Sequence, residues 1–101
     1  VSVENELYRQ AIEKWGVEAQ LVILMEECGE LIQAVSKYLR NGCPTGDHAI
    51  IHNLLKEAQD VRLLINQLEY GIIPKPSLWN EYRKWVIENF KIKLFGLEEV
   101  D

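Results

Sequence analysis

Residues 21–35 read LVILMEECGELIQAV, an apolar run suited to a helix core yet interrupted at 26–30 by three carboxylates in five residues. Nothing here alternates with the period of two that a half-buried strand needs. Leu21, Leu24, Cys28, Leu31 and Val35 recur at three- and four-residue spacing, the rhythm of one apolar stripe on a helix. The helix extends back to Val17, behind Gly16, and forward to Arg40, where the turn-rich NGCPTGD stops it. A second stripe follows in Ile51, Leu54, Ala58, Val61, Ile65 and Leu68. It predicts a helix over 48–70, capped by Asp47 and ended at Gly71, with Pro74 and Pro76 just beyond. The short loop between the two stripes forces an antiparallel return, so this helix pair forms the centre of the fold.

Two further helices flank the pair. One runs over 4–14 and ends at Gly16. The other is capped by Ser77 and carries Trp79, Tyr82, Trp85 or Val86, and Phe90 at helical spacing. No strand pattern, internal repeat or low-complexity tract competes with them. The expectation is a single all-α domain over 1–101, of four-helix-bundle type. A chain of 101 residues buries a limited share of its surface alone, so the bundle is expected to be completed or extended as a homodimer or homotetramer.

Composition narrows the function classes. With 48% hydrophobic residues the chain is not of the disordered type, and no apolar run reaches the roughly 18 residues of a membrane span. The polar, acidic start VSVENELYRQ is unlike a secretory signal. Cys28 and Cys43 fit no paired-thiol spacing and read as free thiols of a reducing cytosol, so a cytoplasmic protein is expected. A formal charge of −5 argues against a nucleic-acid polymer as partner, because the phosphate backbone is bound by a basic face.

The acids carry the chemistry. At about 100° per residue, Glu27 and Glu30 lie about 60° apart on the margin of the second helix's stripe, with Glu26 further out. Glu57 lies between Leu54 and Val61 on the margin of the third helix's stripe, and Asp60 follows three residues later. Each pair is like-charged and repulsive, the more so near a core. Converging carboxylates without sulfur or imidazole are the ligand set of a hard cation, Mg²⁺ or Mn²⁺, and such an ion would make the clustering stable. Two other metal readings are weaker. Cys43, His48 and His52 supply three irregularly spaced zinc donors, and the Glu-x-x-His motifs of di-iron bundles are missing.

EECGE, then 26 residues, then EAQD resembles the EExxE…ExxD signature of the MazG-like, all-α nucleoside triphosphate pyrophosphohydrolases. The likeness spans about 15–68, with WGVEAQ before the first acids and DVRLLINQL after the last. The resemblance implies Mg²⁺-dependent hydrolysis of a nucleoside triphosphate between its α- and β-phosphates, giving a monophosphate and pyrophosphate. By position, Glu27, Glu30, Glu57 and Asp60 are then the metal ligands. Glu26 fills the first acidic position as a catalytic residue that orients the attacking water or helps hold a second ion. The dUTP hydrolases and phosphoribosyl-ATP pyrophosphohydrolases share this acidic core, while WGVEAQ and DVRLLINQL favour the MazG-like branch and a housecleaning specificity.

Substrate phosphates also need donors. Lys37 lies near Glu30's face two turns on, and Lys56 and Asn53 border Glu57 and Asp60, so both lysines are candidate phosphate contacts. Trp15 is a candidate to stack on a base, with Gln20, one heptad before Glu27, as its hydrogen-bonding neighbour. The alternative is a non-catalytic helical interaction module whose acids are plain surface, which should be indifferent to Mg²⁺.

Overall fold

The computed structural model describes residues 2–96, and every element among them is helical. Helix α1 (Val3–Trp15) starts where Ser2 Oγ accepts the Asn5 N–H at 3.0 Å, with Glu4 and Glu6 in its first turn and Lys14 in its last, each favourable to the helix dipole. Gly16 adopts φ 90°, a conformation strained for other residues, and sends the chain straight into α2 (Val17–Arg40) without a loop. Helix α3 (Ala49–Gln67) is capped by His48, whose Nδ1 accepts the Ile50 N–H at 3.1 Å. The expected cap, Asp47, sits one residue too early and pairs with His52 instead.

The predicted helix over 48–70 changes character before its end. Past Gln67 it widens into a π-helical turn, Leu68–Ile72, closed by the Ile73 N–H donating to the Leu68 carbonyl at 2.9 Å. Gly71 lets α1 approach there, because a Cβ at that position would lie 2.5 Å from Ile12 Cδ1. Helix α4 (Pro76–Phe95) begins with Lys75 as cap and Pro76 in the first position, where its missing N–H costs nothing. Ser77, expected as the cap, therefore falls inside the first turn.

Helices α2 and α3 pair antiparallel: Gln20 shares a hollow with Leu63 and Gln67, Glu27 meets Glu57 and Asp60, and Lys37 shares a hollow with Asn53. The α2 seam is Gln20, Leu24, Glu27, Leu31, Ala34 and Tyr38, all buried or half-buried. Of the predicted stripe, Leu24 and Leu31 belong to it, but Leu21, Cys28 and Val35 are exposed on the neighbouring face. Helix α2 carries two overlapping apolar stripes, and the one with polar Gln20 and Glu27 is the one that meets α3. On α3 the predicted stripe holds better. Val61 is buried and Ile51, Leu54, Ala58 and Leu68 are half-buried, while Ile65 is exposed and Leu64 is buried beside them.

Tyr8 and Ile12 seat α1 on the end of α3 and the π turn, where Asn66 Nδ2 donates to the Tyr8 hydroxyl at 3.5 Å. Helix α4 stands apart, with none of its residues buried. The radius of gyration is 17.2 Å, against about 13 Å for a compact domain of 100 residues. Among the described residues, no helix is long and apolar enough to cross a membrane.

Candidate metal centre

The α2–α3 seam places Glu27 and Glu57 opposite each other, and Asp60 follows one turn along α3. Each of the three offers a carboxylate oxygen, and these oxygens lie within 4.8 Å of one another. Glu57 is buried, and Glu27 and Asp60 are half-buried. Two oxygens, Glu27 Oε2 and Glu57 Oε2, are shielded from solvent without a hydrogen-bond donor. A carboxylate oxygen in that position costs free energy unless a cation or a proton satisfies it.

Among the described residues, only one positive group reaches the cluster. Lys56 Nζ lies 2.8 Å from Asp60 Oδ2 and 3.4 Å from Glu57 Oε1, but its side chain is 66% exposed, so water screens much of its effect. These contacts, the hydrogen bond to Asp60 foremost, hold the Lys56 ammonium above its ordinary pKa. Burial, followed by the charges of Glu30, Asp60 and Glu57, pushes the Glu27 carboxyl up. An all-oxygen donor set with two unsatisfied oxygens and excess negative charge is chemically suited to a hard divalent cation, which Glu27, Glu57 and Asp60 could hold.

The remaining expected site residues fall around this trio. Glu30 is exposed and outside it, though close enough to raise Glu27's pKa. Glu26 is exposed and does not converge with the trio. Lys37 lines an open hollow of about 410 Å³ with Glu30, Ala34, Asn53 and Glu57. Lys56 is tied to the acids. Trp15, 58% exposed, and buried Gln20 line a second hollow of about 620 Å³ that reaches Asp60. Gln20 Nε2 has no partner there.

Sequence reasoning missed Gln67, the most deeply buried polar side chain described, which lines the same hollow with Oε1 unpartnered. The signal was present. Gln67 lies one heptad after Asp60, as Gln20 lies one heptad before Glu27, so each amide shares a helix face with an acid. Cys43, His48 and His52 do not form a metal-binding group: among the described residues, only the acid trio converges.

The electrostatics make a stability prediction. A carboxyl whose folded pKa is raised above its ordinary 4.5 holds its proton more tightly when folded. Its stabilising contribution is full at low pH and is lost as pH rises through the folded value. Glu27→Gln is neutral at every pH, so without divalent ions it should melt above the wild type at pH 7. The gap should close as pH approaches 4.5. Thermal melts across this range check it; equal melting temperatures at pH 7 would mean that Glu27 bears no net repulsion.

No protein-family model, curated protein or solved structure matches the chain significantly.

Proposed function

We propose that the chain is a Mg²⁺-dependent nucleoside triphosphate pyrophosphohydrolase of MazG-like type, cleaving between the α- and β-phosphates to release a monophosphate and pyrophosphate. The observation that carries this reading is the trio Glu27, Glu57 and Asp60, with its two orphaned oxygens, flanked by two hollows of different chemistry. One hollow offers an exposed indole and unpartnered amides; the other offers a lysine. A nucleotide spanning the acids would put its base in the first and its terminal phosphates in the second, leaving the α–β linkage over the carboxylates.

The residues divide the work accordingly. Glu27, Glu57 and Asp60, with Glu30 beside them, would hold Mg²⁺ or Mn²⁺. When bound, the ion neutralises phosphate charge, polarises the phosphoryl group and eases deprotonation of water. Glu26, on the exposed flank of α2, orients the water that attacks the α-phosphorus. Lys37 takes the leaving phosphates, and Lys56 is free to join it once the acids no longer need its charge. Trp15 stacks on the base, and Gln20 hydrogen-bonds its edge. The negative net charge is compatible with this substrate because the cation bridges two anions. A cytoplasmic housecleaning role over several nucleotides, as a homodimer or homotetramer, completes the proposal.

Steady-state hydrolysis of a panel of ribo- and deoxynucleoside triphosphates with Mg²⁺ tests it, with turnover of at least one expected. Trp15→Ala should raise KM roughly tenfold, from the ~1–3 kcal/mol of aromatic–base stacking, while leaving kcat and the melting temperature nearly unchanged. An unchanged KM would remove Trp15 from the site. A chain that neither binds divalent ions nor turns over any nucleotide is a helical interaction module instead.

A further inference from the structure

Among the described residues, two apolar surfaces have no cover. The first lies on the α2–α3 pair. On α2, Leu21, Met25, Cys28, Ile32, Val35 and Leu39 follow a four-three spacing, and all are exposed, Met25 by 67% and Ile32 by 69%. This is a second seam, one residue on from the one that meets α3 and so rotated from it by about 100°. Helix α3 has its counterpart in exposed Leu55 and Ile65, flanked by half-buried Ile51 and Ala58 and displaced from its own seam in the same rotational sense. Antiparallel helices with equal displacements show these stripes on the same side of the pair. Helix α1 and the acid-lined hollows occupy the opposite side.

The second uncovered surface is α4. Ile92, Trp85, Leu78, Tyr82, Val86 and Phe90 spread over about half its circumference at 100° per residue. A helix this apolar belongs in an interior, yet none of its residues is buried.

We propose that α4 is an exchanged arm: it packs on the α2–α3 apolar face of a second copy of this chain, which returns its own α4 in the same way. Three observations favour a second copy. The accessible surface is 8195 Å², against roughly 5,900 Å² for a compact monomer of this mass, an excess of roughly 2,000 Å² per chain. That is the scale an obligate homodimer buries. Charge matches as well. Residues 1–74 carry eleven acids against six bases, while residues 75–96 carry five bases against two acids, so arm and body attract. The chain also holds its arm away from its own core. Pro74 and Pro76 fix the backbone on either side of Lys75, and Trp79 Nε1 donates to the Ile73 carbonyl at 2.8 Å, setting the angle at which α4 departs. A foreign partner would cover one of the two surfaces, whereas reciprocal exchange covers both.

Sedimentation of the full chain at micromolar concentration should give at least twice 11.8 kDa. Ile32→Glu disables the face and Val86→Glu the arm; each alone should sediment as a monomer with its helicity kept. Mixed, they should form a heterodimer, because the intact arm of the first fits the intact face of the second. Pairing of like faces would leave the mixture monomeric and overturn the exchange, as would a wild-type monomer with α4 folded onto its own face. A readout without mutation is available at Cys28, which lies mid-stripe: thiol titration of the native protein should find Cys43 reactive and Cys28 protected, and equal reactivity of both would also overturn it.

Discussion

Replacing Glu57 by Gln, or Asp60 by Asn, should lower the rate of pyrophosphate release by about two to three orders of magnitude and leave the helices intact. Each change keeps the size of the side chain and removes one negative ligand from a cluster whose oxygens lie within 4.8 Å. Losing a few kcal/mol of charge stabilisation at the phosphoryl group corresponds to that loss of rate, at ~1.4 kcal/mol per tenfold. Stability should move the other way, or not at all, because one of the mutually repelling groups has become neutral. A rate that falls while the metal-free melting temperature holds or rises is the signature of residues kept for function at the expense of folding. Glu18→Gln, exposed at the start of α2 and away from the cluster, is the control and should change neither. Near-wild-type turnover in both cluster variants would remove the acids from the chemistry.

The second large effect is expected from the ion itself. A ligand that binds only the folded chain stabilises it by about 2.7 kcal/mol at a hundred times its Kd. For a domain of this size, that amounts to a rise in melting temperature on the order of 10 °C. Titrating Mg²⁺ into the metal-free protein should show such a rise, and Glu27→Gln combined with Glu57→Gln should abolish it. Calorimetry with a nonhydrolysable nucleotide present gives the independent reading. If it detects no divalent binding, Glu27, Glu57 and Asp60 are not a metal centre.

The helices were legible in the sequence because each is bounded by a residue whose backbone chemistry leaves little choice. Gly16 ends α1 at positive φ, as expected, and Pro76, whose missing N–H suits a first position, opens α4 one residue ahead of the expected cap Ser77. The details that escaped are those that a shift of one residue decides. Asp47 is the better cap by residue type, but the first helical turn starts at Ala49, which puts His48 in the cap position, where its Nδ1 accepts the Ile50 N–H. The choice of seam on α2 escaped for a different reason. Its apolar arc is wide enough for two partners, so periodicity measures the sum of both faces and not the one that meets α3.

The site was legible to the same depth. The pairing of Glu27 with Glu57 and Asp60 followed from two acidic pairs on adjacent helices, whereas Glu30 lies on the exposed flank of the seam, close enough to act on Glu27 but outside the converging trio. Gln67 was hidden because a buried amide has no distinctive spacing until the acid one heptad away is recognised as part of a site.

The central claim is cleavage at the α-phosphorus, and hydrolysis in water enriched in oxygen-18 tests it most directly. Attack directed by the α2–α3 acids at that atom should place the label in the nucleoside monophosphate and leave the pyrophosphate unlabelled. Label in the pyrophosphate, release of orthophosphate, or no product with either Mg²⁺ or Mn²⁺ would contradict it.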